Sequence, residues 1–182
     1  KMLHKLINQS FVKYGLLSGA VIFIVKASIY ATGNLSYRFN PVYTIGTAVL
    51  IILGLTLSFR DSSEVKLSNY LFKGLALVAI VVTLSSTCDQ LFYQLNPEIP
   101  MNIKALTVEQ FEELESKFDG SVFEEGKKEL IKSNPNDMVG FVPFALYIFN
   151  ASLLNFFTVF GVSLYFWLRV RKANRQIGHM DQ

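Results

Sequence analysis

Two ionisable residues stand out because of where they fall. Lys26 lies in an otherwise uncharged run from Tyr14 to Tyr37, and Asp89 in one from Gly74 to Pro97. Ionisable groups inside long apolar stretches are expensive to bury, so they mark pairs, ion paths or proton relays. Around Asp89 the order is Thr83-Leu84-Ser85-Ser86-Thr87-Cys88-Asp89-Gln90, an unusual density of hydroxyls. At helical spacing Ser86, Asp89 and Gln90 share one face, with Thr83 and Ser85 beside it. Asn150 and Asn155 add two amides from a later apolar run. Two readings fit this set. One is a polar intramembrane site for an ion or a head group, built from Lys26, Ser86, Asp89, Gln90, Asn150 and Asn155. The other, commoner reading is structural: interhelical hydrogen bonds, with Lys26 and Asp89 expected close enough to pair directly or through water, the alternative being a Lys26 that snorkels along its stem and an Asp89 bathed in water at a helix end.

Other chemistry finds little support. His4 and His179 lie in the terminal tails, and no metalloprotease, phosphate-loop or nucleophile-elbow pattern is present. Asp89 has no histidine or second carboxylate at a spacing suited to acid–base work. The expectation is a protein that is not an enzyme and takes no cofactor or metal. Cys88 is the single cysteine, so no internal disulfide forms and small apolar packing is its expected role. Of two Asn-x-Ser matches, Asn34 carries meaning only where a secretory pathway glycosylates, and Asn150 lies within a span.

These residues need elements to position them. The chain has 182 residues, 51% of them apolar and 17% charged, with a mean hydropathy of +0.35. The charges are unevenly spread: 21 uncharged residues separate Arg38 from Arg60, and 31 separate Asp137 from Arg169. Runs of about 18 or more apolar residues read as membrane helices, and their unbroken apolar character argues against alternating barrel strands. The expected fold is an all-α membrane protein with four spans, at about 14–33, 42–59, 70–94 and 138–168, forming a single domain over 1–182. The last is too long for a perpendicular crossing and should tilt. The first is read as a retained helix rather than a cleaved signal, because its apolar run continues past Lys26. Lys26 and Asp89 then fall about seven and five residues below the outer ends of their helices, within about one turn in depth at ~1.5 Å per residue.

Ten basic residues flank one side, including Lys1, Lys5, Lys13, Arg60, Lys66, Lys73, Arg169, Arg171, Lys172 and Arg175. The positive-inside rule puts that side, with both termini, in the cytoplasm. The net charge of +3 therefore reflects membrane anchors and not a nucleic-acid surface. Tyr14, Tyr70, Tyr165 and Trp167 fall at the inner interface, and Tyr37, Tyr43 and Tyr93 at the outer one. Gly15 and Gly19 form a small-xxx-small pair for close helix packing, and Gly46 and Gly54 a looser one.

The extramembrane segment 96–137 carries ten acidic residues and five lysines. Pro97 and Pro100 should end the third span. Thr107 with Gln110, and Ser121 with Glu124, read as capping boxes. The first helix would carry Val108, Phe111, Leu114 and Phe118 on one face and end at Gly120. A second would run over about Val122–Ile131, giving an outer helical hairpin whose apolar stripe lies on the tops of the spans. Its acidity disfavours the bilayer surface and leaves a protein partner as the sharper alternative.

The layout resembles a family of small bacterial membrane proteins, the domain of unknown function 4199 family. The likeness rests on Phe11-Val12-Lys13-Tyr14-Gly15-Leu16-Leu17-Ser18-Gly19 at the first span, Phe59-Arg60-Asp61 after the second and Phe72-Lys73-Gly74-Leu75 at the third. An acidic helical segment and a basic tail complete it, covering Ser10 to Arg175. Lys26 and the Ser85–Gln90 run depart from the family's pattern. The resemblance implies the bacterial inner membrane and carries over no functional residue. Two functions remain: a non-catalytic accessory or scaffold subunit of a membrane or envelope complex, or a small oligomeric transporter or channel using Lys26 and Asp89. Either implies the lipid bilayer and a protein partner or a homo-oligomer, with no nucleic acid.

Overall fold

The computed structural model describes residues 9–36, 41–60, 62, 66–117, 121–138 and 141–178. Those residues are helical throughout their regular elements. They form α1 (Ser10–Thr32), α2 (Pro41–Phe59), α3 (Leu67–Leu95), α4 (Glu98–Lys117), α5 (Ser121–Lys132), a 3-10 turn (Pro135–Met138), α6 (Phe141–Leu154) and α7 (Phe156–Gly178). Among them α1, α2 and α3 are long and apolar enough to cross a membrane, and α6 with α7 makes a fourth if the bent pair counts as one span. Large apolar side chains cover their outer faces, for example Ile24 on α1 and Val42, Ile45 and Leu53 on α2. In water so continuous a surface would aggregate; against lipid it has no cost.

The longest helix, α3, is the centre, with α1, α2, α6 and α7 all packed on it. Its Tyr70, Leu77, Val78 and Val81 are fully or almost fully buried, against Ile22 of α1, Leu55 of α2 and Val159 of α7. At one end Phe59 meets the rings of Tyr70 and Phe166 edge-on, at 5.1 and 5.9 Å. The small residues of α1 set the closest approach. A Cβ on Gly15 would lie 3.3 Å from the Leu77 carbonyl oxygen, and one on Gly19 3.3 Å from the Val81 Cα. With Gly15 beside Leu77 and Lys26 beside Asp89, α1 and α3 run parallel at a nearly constant sequence offset. α2 runs against α1: Ser10 and Ser18 donate their hydroxyls to the Ser58 and Leu50 carbonyls.

The largest departures from the sequence expectation fall in the last span and in the outer segment. The span expected over 138–168 divides at Asn155, with a 41° bend between α6 and α7. Asn155 Nδ2 donates to the Ala151 carbonyl at 2.8 Å, the same oxygen its own backbone N–H uses at 3.2 Å. A side chain competing within the i→i−4 ladder is a recognised cause of a kink. At the far end α7 continues through its basic residues to Gly178.

The helix expected from Thr107 begins instead at Glu98. Asn96 is the pivot: its N–H closes α3 on the Phe92 carbonyl, while its Oδ1 accepts the N–H of Glu98 at 3.1 Å. Pro97 and Pro100 sit where a helix start tolerates a missing N–H. Thr107 lies inside α4 and turns its hydroxyl to the Ile103 carbonyl.

The apolar contact also moves. Ile99 and Ile103, with Leu106, join Tyr30, Leu35, Cys88 and Tyr93 in one apolar cluster, whereas Phe111 lies beside Gly126 of α5 and Leu114 is exposed. Lys127 of α5 reaches Glu112 and Glu115 of α4 at 3.2 and 3.0 Å. Lys104 donates to the Ile131 and Ser133 carbonyls at the end of α5. Phe118 and Gly120 lie outside the described residues, as do Tyr37, Arg38, Asp61 and both histidines.

Candidate functional site

Lys26 lies on the face of α1 that carries Gly15, Gly19 and Ile22, all buried. The parallel packing brings it to Asp89, 63 residues later in the chain, with Nζ 2.6 Å from Oδ2. The ammonium also donates to the Ser85 carbonyl at 3.4 Å. The other carboxylate oxygen, Oδ1, accepts the Tyr30 hydroxyl at 2.5 Å. The two charged side chains are only 6% and 7% exposed. Lys26 therefore does not snorkel to the interface, and Asp89 is not bathed in water.

Burial of this kind makes the geometry matter. Each ion loses several kcal/mol of hydration, at order of magnitude, and recovers it only through close, well-aligned partners. Here the carboxylate has one charged and one neutral donor on separate oxygens, and the ammonium has a carboxylate and a carbonyl. The Tyr30 ring is itself held, stacked on Phe92 at 4.9 Å and edge-on to Tyr93 at 6.2 Å. Sequence reasoning missed Tyr30. The signal was available: it follows Lys26 by four residues and so lies one turn further along the same face.

The remaining polar candidates divide. Ser85 and Ser86 are buried, and the Ser86 hydroxyl has no hydrogen-bond partner among the described residues. Gln90 is half-buried. Thr83 and Thr87 turn outward, the Thr87 hydroxyl donating to the Thr83 carbonyl. Asn150 is exposed on α6, and Asn155 directs its amide to its own helix. Cys88 is fully buried, its thiol 3.6 Å from the Phe23 carbonyl oxygen. The structure thus joins Lys26, Asp89 and Tyr30, keeps Ser85 and Ser86 beside them on α3, leaves Asn150 exposed on α6 and bonds Asn155 to the Ala151 carbonyl.

Chemically, a neutral ion pair with a phenol on its second oxygen can lock two helices in register or hold a proton. It presents no activated nucleophile. Among the described residues no three His, Cys, Asp or Glu side chains converge to hold a metal ion. Compared with known protein families, curated proteins and solved structures, the chain gives no match.

Proposed function

We propose that this chain is a four-span protein of the bacterial inner membrane that acts as a non-catalytic accessory or scaffold subunit of a membrane or envelope complex. The spans are α1, α2, α3 and the bent α6–α7 pair. Both termini face the cytoplasm, and α4 and α5 form a hairpin on the outer side. The charge distribution supports this orientation, with the basic residues gathered at one set of helix ends and the acidic excess in 96–137. The resemblance in layout to the domain of unknown function 4199 family supports the choice of membrane.

The observation that carries the scaffold reading is the closure of the Lys26–Asp89 site. Its charges are met by one another, by Tyr30 and by the Ser85 carbonyl, at 6% and 7% exposure. Such an arrangement fixes helix register, while α4 and α5 present exposed charged faces away from the spans. The transporter reading draws on one contrary observation, the buried Ser86 hydroxyl next to the pair, which has no partner among the described residues. One experiment separates them. After purification of the full chain in mild detergent, a scaffold subunit brings down a stoichiometric membrane partner. A chain that runs alone, and supports ion flux across vesicles in a manner abolished by Asp89→Asn, would overturn the scaffold reading.

A further inference from the structure

α4 touches the spans over a short stretch. Its first turns bury Ile99, Pro100 and Ile103; beyond them its helix neighbours, among the described residues, are α5 and the 3-10 turn. These residues dock into one buried apolar cluster with Tyr30, Leu35, Cys88 and Tyr93. Tyr30 belongs to two structures at once. Its hydroxyl is held by Asp89, which is held by Lys26, and its ring belongs to the same buried apolar cluster as Ile99 and Ile103.

From this double membership we infer that Tyr30 is the pin of a latch: the Lys26–Asp89 pair fixes one ring of the apolar cluster that the first turns of α4 join, so breaking the Tyr30–Asp89 bond loosens that cluster, releases the first turns of α4 and opens Cys88 to water. The coupling runs both ways, because a bond that favours the docked state is favoured by docking in return. A partner that pulls α4 from the spans must therefore break or weaken the hydrogen bond to Asp89. The device goes beyond the scaffold reading and does not depend on which partner, if any, α4 and α5 engage.

The chain supplies its own reporter, since Cys88 is its single cysteine and is fully buried within this cluster. The test follows the rate at which a water-soluble maleimide labels Cys88 in the full chain reconstituted in nanodiscs. Tyr30→Phe keeps the ring and removes the hydroxyl. A hydrogen bond to a buried charged group shifts an equilibrium roughly tenfold or more, so labelling should accelerate about tenfold. Ile103→Ala loosens the same dock from the α4 side and should accelerate it as well. Val159→Ala, in the core beside Gly74, weakens the bundle without touching the latch and should leave the rate within about twofold of the parent, as an independent site does. The proposal is overturned if Tyr30→Phe labels no faster than the parent. It is equally overturned if Val159→Ala accelerates labelling as much as Tyr30→Phe, because general loosening would then explain both.

Discussion

Lys26 Nζ lies 2.6 Å from Asp89, and Lys117 Nζ lies 2.6 Å from Glu113. The first pair joins two helices and is 6% and 7% exposed; the second joins neighbouring turns of α4 and is 60% and 65% exposed. Equal distance does not make them equal interactions. Water already solvates the Lys117 pair in every conformation, so closing it gains little. The Lys26 pair has lost that water, and each partner depends on the other. The same division separates the regions around them: apolar helices holding the buried Lys26–Asp89 pair, and a charged helix pair, α4 with α5, bearing several solvated ones, Lys128–Glu124 among them.

The largest effect should come from removing half of the buried pair. Asp89→Asn keeps the side chain's shape and removes the carboxylate charge that lies 2.6 Å from the Lys26 ammonium. The expected loss is about 3 kcal/mol, the scale for a stranded charge in a membrane helix or a broken buried pair. The double replacement Lys26→Met with Asp89→Leu removes both charges and should recover most of it. Thermal melts of the full chain in detergent compare the three proteins. A double variant as unstable as Asp89→Asn would show that the pair itself, and not the stranded charge, provides the stability.

A smaller loss should follow when the pair is disturbed through helix spacing alone. Gly19 lies two turns before Lys26, and a Cβ there would come 2.6 Å from the Leu84 Cδ1 and 3.3 Å from the Val81 Cα. The leucine tip can rotate away; the backbone atom cannot. Gly19→Val should cost about 1–3 kcal/mol, as overpacking does. Because separating α1 from α3 also stretches the pair, its effect should be less than additive with Asp89→Asn in a double-mutant cycle. Strict additivity would mean that helix spacing and the ion pair are independent.

The contrast between the regions also explains how much could be read in advance. Apolar runs with two isolated charges announce membrane helices, and equal depth announces that Lys26 and Asp89 can meet. Tyr30 was hidden because a tyrosine near a helix end reads equally well as an interface anchor. The Asn155 break was hidden because an asparagine in a span can bond across to a neighbour or back to its own helix, and only the packed structure decides. In 96–137 the weak apolar pattern made Thr107 look like a cap. The stronger signal was Asn96-Pro97-Glu98, a cap followed by a proline and an acidic first turn.

The smallest effects belong to the solvated region, where pH and salt act and the buried pair should not respond. Lys117 beside Glu113 lowers the Glu113 pKa from its ordinary 4.5, chiefly through the hydrogen bond and then through charge. A lowered carboxyl stabilises the folded state above its unfolded value, and that stabilisation is lost as pH falls through the folded one. The Glu115 hydrogen bond raises the Lys127 pKa from 10.5, helped by Glu112 and opposed by partial burial. A raised lysine stabilises fully below 10.5, and this is lost as pH rises through the higher folded value. Spin labels at Ser116→Cys and Glu125→Cys, each with Cys88→Ala, report the two sites in the full chain. The Ser116 label should gain mobility on the acid side, below the ordinary carboxyl range, and the Glu125 label on the alkaline side, above the ordinary lysine range. Molar salt should loosen both slightly, since screening shortens to about 3 Å, while the melting temperature difference between the parent and Asp89→Asn stays unchanged. If salt narrows that difference, the Lys26–Asp89 pair is reached by solvent and the contrast between the two regions fails.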